Sequence, residues 1–208
     1  MAKPNDLRVL LIRSGPNEWD EAGRLVGGSD LPLSPRGRAQ IEAEAAVQAG
    51  SSLTVILSGP DEGSIASAKA MAEGTGARTR VIPELADISL GLWEGLLNSE
   101  LAEKCPKTHR LWMEDPGSVV VPEGESVEEA KGRILAALGR ALDRYRGSDG
   151  AVGVVLRPFA LALVRSHLVG GQTKDLWQLI ALGPASQWLS IQPRLLMQRG
   201  ESTRAATK

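Results

Sequence analysis

Cysteine is nearly absent from this chain: Cys105 is the only one in 208 residues. An intrachain disulfide is thereby excluded, and a reducing, cytoplasmic setting is expected. Histidine is almost as scarce, with His109 and His167 alone; together with a single thiol they give no basis for a zinc site of soft ligands, and no metal or cofactor is expected. Charge of one sign is lacking as well. With 24 Lys+Arg against 25 Asp+Glu and a formal net charge of -1, nothing suggests general attraction to nucleic acid or to an anionic membrane. No run approaches the roughly 18 apolar residues of a spanning helix. The stretch Met1 to Asp6 is short and polar, and the apolar run after it stops at Arg13, so no secretory signal is expected. Gly74-Thr75-Gly76 lacks the third glycine of a dinucleotide fingerprint, and no Walker loop or EF-hand pattern occurs.

What is present is ordinary for a globular chain, 42% hydrophobic and 24% charged, and the length fits one domain over 1–208. Leu7 to Ile12, Leu53 to Leu57, Arg80 to Ile82, Ala151 to Leu156 and Trp188 to Ile191 read as strands. Ser34-Pro35 opens a helix that Gly50 closes, and Ile65 to Glu73 forms another, stopped by Gly74. Ser126 and Glu129 make a capping box. Behind it Val127, Ala130, Ile134, Leu138, Ala141 and Tyr145 recur at helical steps. The segment from Pro158 to Val169 is almost wholly apolar and should be a buried helix. The core spans about 7–192, with a mobile polar tail at 200–208. Strands alternating with helices imply a three-layer α/β/α sandwich with a mainly parallel sheet. The active site of such a sheet lies beyond the strands' carboxyl ends, which singles out Arg13-Ser14, Ser58-Gly59 and Arg157.

The segment Arg13-Ser14-Gly15-Pro16-Asn17-Glu18-Trp19-Asp20, then Gly23-Arg24-Leu25 and Asp30-Leu31-Pro32-Leu33-Ser34, resembles the opening of the histidine phosphatase superfamily. That superfamily includes cofactor-dependent phosphoglycerate mutases and ribazole phosphatases. Gly91-Leu92-Trp93-Glu94-Gly95, Trp112-Met113-Glu114-Asp115-Pro116 and Pro122-Glu123-Gly124-Glu125-Ser126 follow in the family's order. The resemblance covers about 7–192 and implies a phosphoglycerate mutase-like fold.

It also implies a damaged site. Where the family carries its nucleophilic histidine stands Ser14, and where it carries the second histidine, before a glycine, stand Arg157-Pro158. The place of the phosphate-clamping arginine falls on Gly63, a phosphate-contacting asparagine becomes Asp20, and Asp87 replaces the glutamate that resembles it as proton donor. A serine hydroxyl is a weak nucleophile without an adjoining base. His167, three turns into its helix, and His109, in a segment that would approach the mouth as a lid, are expected to be packing or surface histidines. An arginine takes no proton at working pH. The family mechanism is therefore expected to be lost, and the protein to act by binding a phosphate-like anion, a small phosphorylated molecule, a protein partner or a second copy of itself. Two alternatives stand beside this: a phosphatase or mutase of altered chemistry, using Ser14 or a water activated by Asp87, and a purely structural subunit.

The ligand-binding candidates are Arg13, Ser14, Asn17, Asp20, Gly27 and Arg157. Arg13 and Arg157 would form a two-pronged anion clamp, unless Arg157 pairs with Asp20 or Asp87 and closes the pocket. Asp87 would be a proton donor or half of an ion pair, and Trp93 and Trp112 would pack the core or a lid. Arg13, Ser14, Gly63, Asp87 and Arg157 should converge on one cleft.

Overall fold

Leu7, Val9 and Leu11 point to one side of the first strand and Leu10 and Ile12 to the other, and all five are buried. A strand apolar on both faces belongs at the centre of a covered sheet. The computed structural model describes residues 6–197, and it puts this strand, β1 (Leu7–Arg13), next to the centre. Then follow α1 (Glu18–Glu21), α2 (Pro35–Val47), β2 (Leu53–Ser58), α3 (Glu62–Thr75), β3 (Arg78–Val81), α4 (Asn98–Lys104), α5 (Pro106–Glu114), α6 (Val127–Asp143), β4 (Ala151–Leu156), α7 (Pro158–Val169), α8 (Leu176–Leu182), β5 (Ser186–Ile191) and α9 (Pro193–Met197). The five strands order as β3-β2-β4-β1-β5. The first four run parallel, and β5 pairs antiparallel with β1. The sheet is therefore mostly parallel, as the alternation of elements implies, with helices on both faces. The expected tail at 200–208 lies outside the described residues.

One face packs α2 and α3 through Ile41, Ala45, Ala68 and Met71. The other carries α6, α7 and a group of four rings. Trp112 lies 5.6 Å from Trp93, 5.7 Å from Phe159 and 5.4 Å from Trp177. Trp93 and Trp112 are both buried there, among the core side chains.

Three elements depart most from the sequence reading in their bounds. The second long helix starts at Glu62 behind an Asp61 cap and runs through Gly74 to Thr75. A Cβ on Gly74 would sit 3.1 Å from the Ala45 carbonyl, so this glycine lets α2 and α3 approach rather than ending the helix. Gly76, at φ 72°, is the stop. Strand β3 begins at Arg78, two residues early, and is exposed along its length. Such a charged, short edge strand discourages pairing with other chains. Strand β5 begins at Ser186 rather than Trp188.

Candidate functional site

The parallel register brings three strand ends level. Arg13 is paired with Leu156, and Ser58 with Val155. The Ser14 amide continues the ladder, donating to the Leu156 carbonyl at 2.9 Å. Ser14, Arg157 and the Gly59-Pro60-Asp61 turn therefore emerge side by side. A cavity of about 150 Å³ opens there, lined by Gly27, Gly28, Asp30, Pro60, Asp61, Ala86, Asp87 and Arg157.

Arg157 stands at the N-cap of α7, where a cation is unfavourable, and its side chain caps nothing. Its charge is answered from the other end of the chain. Nη1 donates to Asp20 Oδ2 at 3.0 Å and Nη2 to Asp20 Oδ1 at 2.9 Å, a two-pronged ion pair. Asp20 Oδ2 also accepts the Asn17 amide at 2.8 Å, and Asn17 Oδ1 accepts the Asp20 amide at 2.9 Å. This capping box holds the carboxylate in place. Burial works to lower the Arg157 pKa, but Asp20, Asp87 and Asp61 outweigh it, and the net shift is upward.

The missing cap of α7 comes from Asp87. Its Oδ1 accepts the Ala160 amide at 2.7 Å and the Ile88 amide at 3.0 Å. Burial pushes the Asp87 carboxyl up to about 6, against the pull of Arg157 and of the two amides, with Asp61 adding repulsion. An acid in this range exchanges a proton near neutral pH.

The other candidates are placed differently. Ser14 is buried beside the cavity, and its Oγ has no hydrogen-bond partner among the described residues. Arg13 leaves the site altogether: its Nη2 donates to the carbonyls of Ile180, in the last turn of α8, and Gly183, just after it. The expected clamp of Arg13 with Arg157 is not formed, because Arg13 follows Leu11 on the face of β1 that packs against α7 and α8. Asn17 is a helix cap rather than a wall of the cavity. Gly63 sits in the first turn of α3, outside the lining. A Cβ there would meet the Leu31 carbonyl at 3.2 Å and Leu33 Cδ2 at 3.5 Å. His109 shares a hydrogen bond with Asn98 Oδ1, and His167 lies against the Leu195 carbonyl; neither lines the cavity.

Sequence reasoning passed over Asp30, Asp61 and Glu94. Asp61 caps α3 through the Ser64 amide, and its Oδ2 is buried without a partner among the described residues. A Pro-Asp pair just after a strand is a cap signal that was available. Glu94 accepts from the Gly28 and Leu90 amides and the Ser29 hydroxyl, which pins the loop carrying Gly27. Asp30, Asp61 and Asp87 thus line a cavity whose lining arginine, Arg157, is already paired with Asp20. No group of three His, Cys, Asp or Glu among the described residues is arranged to hold a metal ion.

Comparison with known proteins agrees with this architecture. The family described as histidine phosphatase superfamily (branch 1) matches residues 9–193. Phosphoserine phosphatase 1 of Hydrogenobacter thermophilus is 29% identical over 171 residues, 82% of this chain and 80% of that one. A probable phosphoglycerate mutase of Cronobacter sakazakii is 28% identical over 164 residues, 79% and 75% of the two chains. A bifunctional protein of Mycobacterium tuberculosis matches at 29% over 163 residues, and the chain spans only 44% of its length. Among solved structures, a mycobacterial glucosyl-3-phosphoglycerate phosphatase superposes with a TM-score of 0.72 at 26% identity, covering 86% of this chain and 85% of that one. A Bacillus stearothermophilus protein at 22% identity gives a TM-score of 0.76 over 82% and 84% of the two chains, a likeness of fold. By its match over nearly its whole described length, this chain belongs to branch 1 of the histidine phosphatase superfamily.

Proposed function

We propose that this protein has left the phosphohistidine mechanism of its family and works by binding at the remodelled cavity. One observation carries the reading: the side chain at the second-histidine position, Arg157, is locked two-pronged onto Asp20. An arginine so paired neither relays a proton nor has its fork free for a phosphoryl group. Among the described residues no base hydrogen-bonds the Ser14 hydroxyl, which leaves it a protonated, weak nucleophile. With Asp30, Asp61 and Asp87 on the walls, the cavity favours a compact ligand that donates hydrogen bonds over a phosphate monoester.

The test is turnover of an aryl phosphate, of phosphoglycerates and of O-phosphoserine by the purified chain, with acid quench to trap any phosphoenzyme. No turnover above background and no acid-labile label are expected. Turnover abolished by Ser14→Ala would overturn the reading in favour of serine chemistry.

A second reading rests on Asp87, whose carboxyl titrates near 6 on the cavity wall. There it would activate a water for direct attack on a small phosphoester. Turnover that survives Ser14→Ala, is lost in Asp87→Asn and rises through about pH 6 would establish this second reading in place of the first.

A further inference from the structure

A second cleft, of about 660 Å³, lies between α7, α8 and β5, away from the family site. Its walls are largely apolar, with Leu168, Leu179, Leu182 and Leu189 among them. Into it projects Arg165, on α7, only 5% exposed. Nη2 of Arg165 donates to the Pro184 carbonyl at 2.7 Å, while Nε is buried with no partner. Among the described residues no carboxylate stands within ion-pair distance of this guanidinium. Asp175 is on the wall, but its Oδ2 accepts the Gln172 amide at 3.0 Å and lies near Gly171, whereas Arg165 Nη1 lies near Gly183.

The end of α8 and the residue after it hold a second cation, since Arg13 donates to the carbonyls of Ile180 and Gly183. Two guanidiniums are therefore held on neighbouring carbonyls, Pro184 for Arg165 and Gly183 for Arg13, and repel each other. Burial, with Arg13 adding to it, brings the Arg165 pKa down to about 10. A buried cation ordinarily has an anionic partner, because carbonyl dipoles alone do not replace its hydration. Here no such partner stands among the described residues, and the space for one is open.

We propose that this cleft binds a small amphiphilic carboxylate, its head on the Arg165 fork at the Gly183-Pro184 end and its hydrocarbon along the leucines of α7, α8 and β5. The planar fork matches a carboxylate's two oxygens. The volume is that of a site for a drug-sized molecule, and apolar walls with one charged anchor are the usual composition of such sites. Asp175 on the wall disfavours a head of higher negative charge. The site is independent of chemistry at Arg157, so its test stands apart from the phosphatase assay.

The test is calorimetry and thermal unfolding of the full chain with octanoate, 1-octanol and octylammonium, the two ions below their micelle concentrations and the alcohol below its solubility limit. Octanoate should bind and raise Tm, and 1-octanol should bind about tenfold or more weakly, the worth of a charge-assisted hydrogen bond. Octylammonium should be weakest. Gln178→Glu, an isosteric change at an exposed lining position, should weaken octanoate and leave 1-octanol unchanged. Arg165→Gln should make octanoate and 1-octanol equal. Equal binding of octanoate and 1-octanol by the unaltered chain would overturn the proposal, as would binding of neither. So would a dimer in sedimentation that Leu182→Glu separates, since a second copy would then fill the cleft.

Discussion

Replacing Asp87 by asparagine should make the protein more stable at neutral pH and leave it unchanged in acid. The carboxyl of Asp87 is pushed from an ordinary 3.8 to about 6, about 2 pH units, so the folded state prefers the neutral acid by on the order of 3 kcal/mol. The unfolded chain gives up this proton first. The stability that Asp87 contributes as a neutral acid is therefore full below about pH 4 and lost as pH rises through about 6. Asparagine is close to the neutral acid in shape, and its Oδ1 can still accept the Ala160 and Ile88 amides that Asp87 Oδ1 accepts now. Urea unfolding followed by circular dichroism between pH 4 and pH 8 should give coincident midpoints at the acid end. Above pH 7 the variant should lead by up to 3 kcal/mol, about 10 °C in Tm for a chain of this size. A difference that does not change with pH, or a variant less stable throughout, would refute the reasoning. It would show that Asp87 is held ionised as a partner of Arg157.

Other perturbations probe the same neighbourhood. Asp20→Ala strands Arg157, whose side chain is 5% exposed, and should cost about 3 kcal/mol, part of it the lost cap. Adding Arg157→Met should recover more than half of that cost, and additive effects in denaturant titrations would deny the coupling. Millimolar phosphate should raise the Tm of Asp20→Ala, where the fork is released, but not that of Asp20→Ala with Arg157→Met; equal shifts would place the anion elsewhere. Gly63→Arg should destabilise by about 1–2 kcal/mol, because its Cβ would press on the Leu31 carbonyl. For the same reason the triple change Ser14→His, Gly63→Arg, Arg157→His should form no phosphohistidine, and an acid-labile label on it would show that the segment at 31–33 yields.

The core of the sheet was legible because β1, β2 and β4 are short apolar runs separated by capped helices, and their parallel pairing brings the ends level. The direction of β5 was not, since an apolar run carries no sign of which way it pairs. Gly74 misled because glycine serves both to end helices and to let them touch, and only the position of Ala45 decides between the two. The orientation of Arg13 was legible and passed over: Leu7, Val9 and Leu11 share one face of β1, and the two-residue period carries Arg13 to the same side. That Arg157 pairs with Asp20 rather than Asp87 depends on the capping box of α1, which fixes where the Asp20 carboxylate points. The capping of α7 by Asp87 joins groups 73 residues apart, and no local pattern announces such a contact.

The strand order carries a further consequence, for the way the molecule assembles. Strand β1 hydrogen-bonds only to β4 and β5, so a ribosome releases its apolar run about 140 residues before either neighbour exists. During that interval both edges of the run are unpaired, and helper proteins or early collapse against α2 must shield it. Closing so long a loop makes insertion of β1 a late and slow event. The cavity is built from residues on both sides of that junction, so it should be among the last features of the chain to form and the first to come apart.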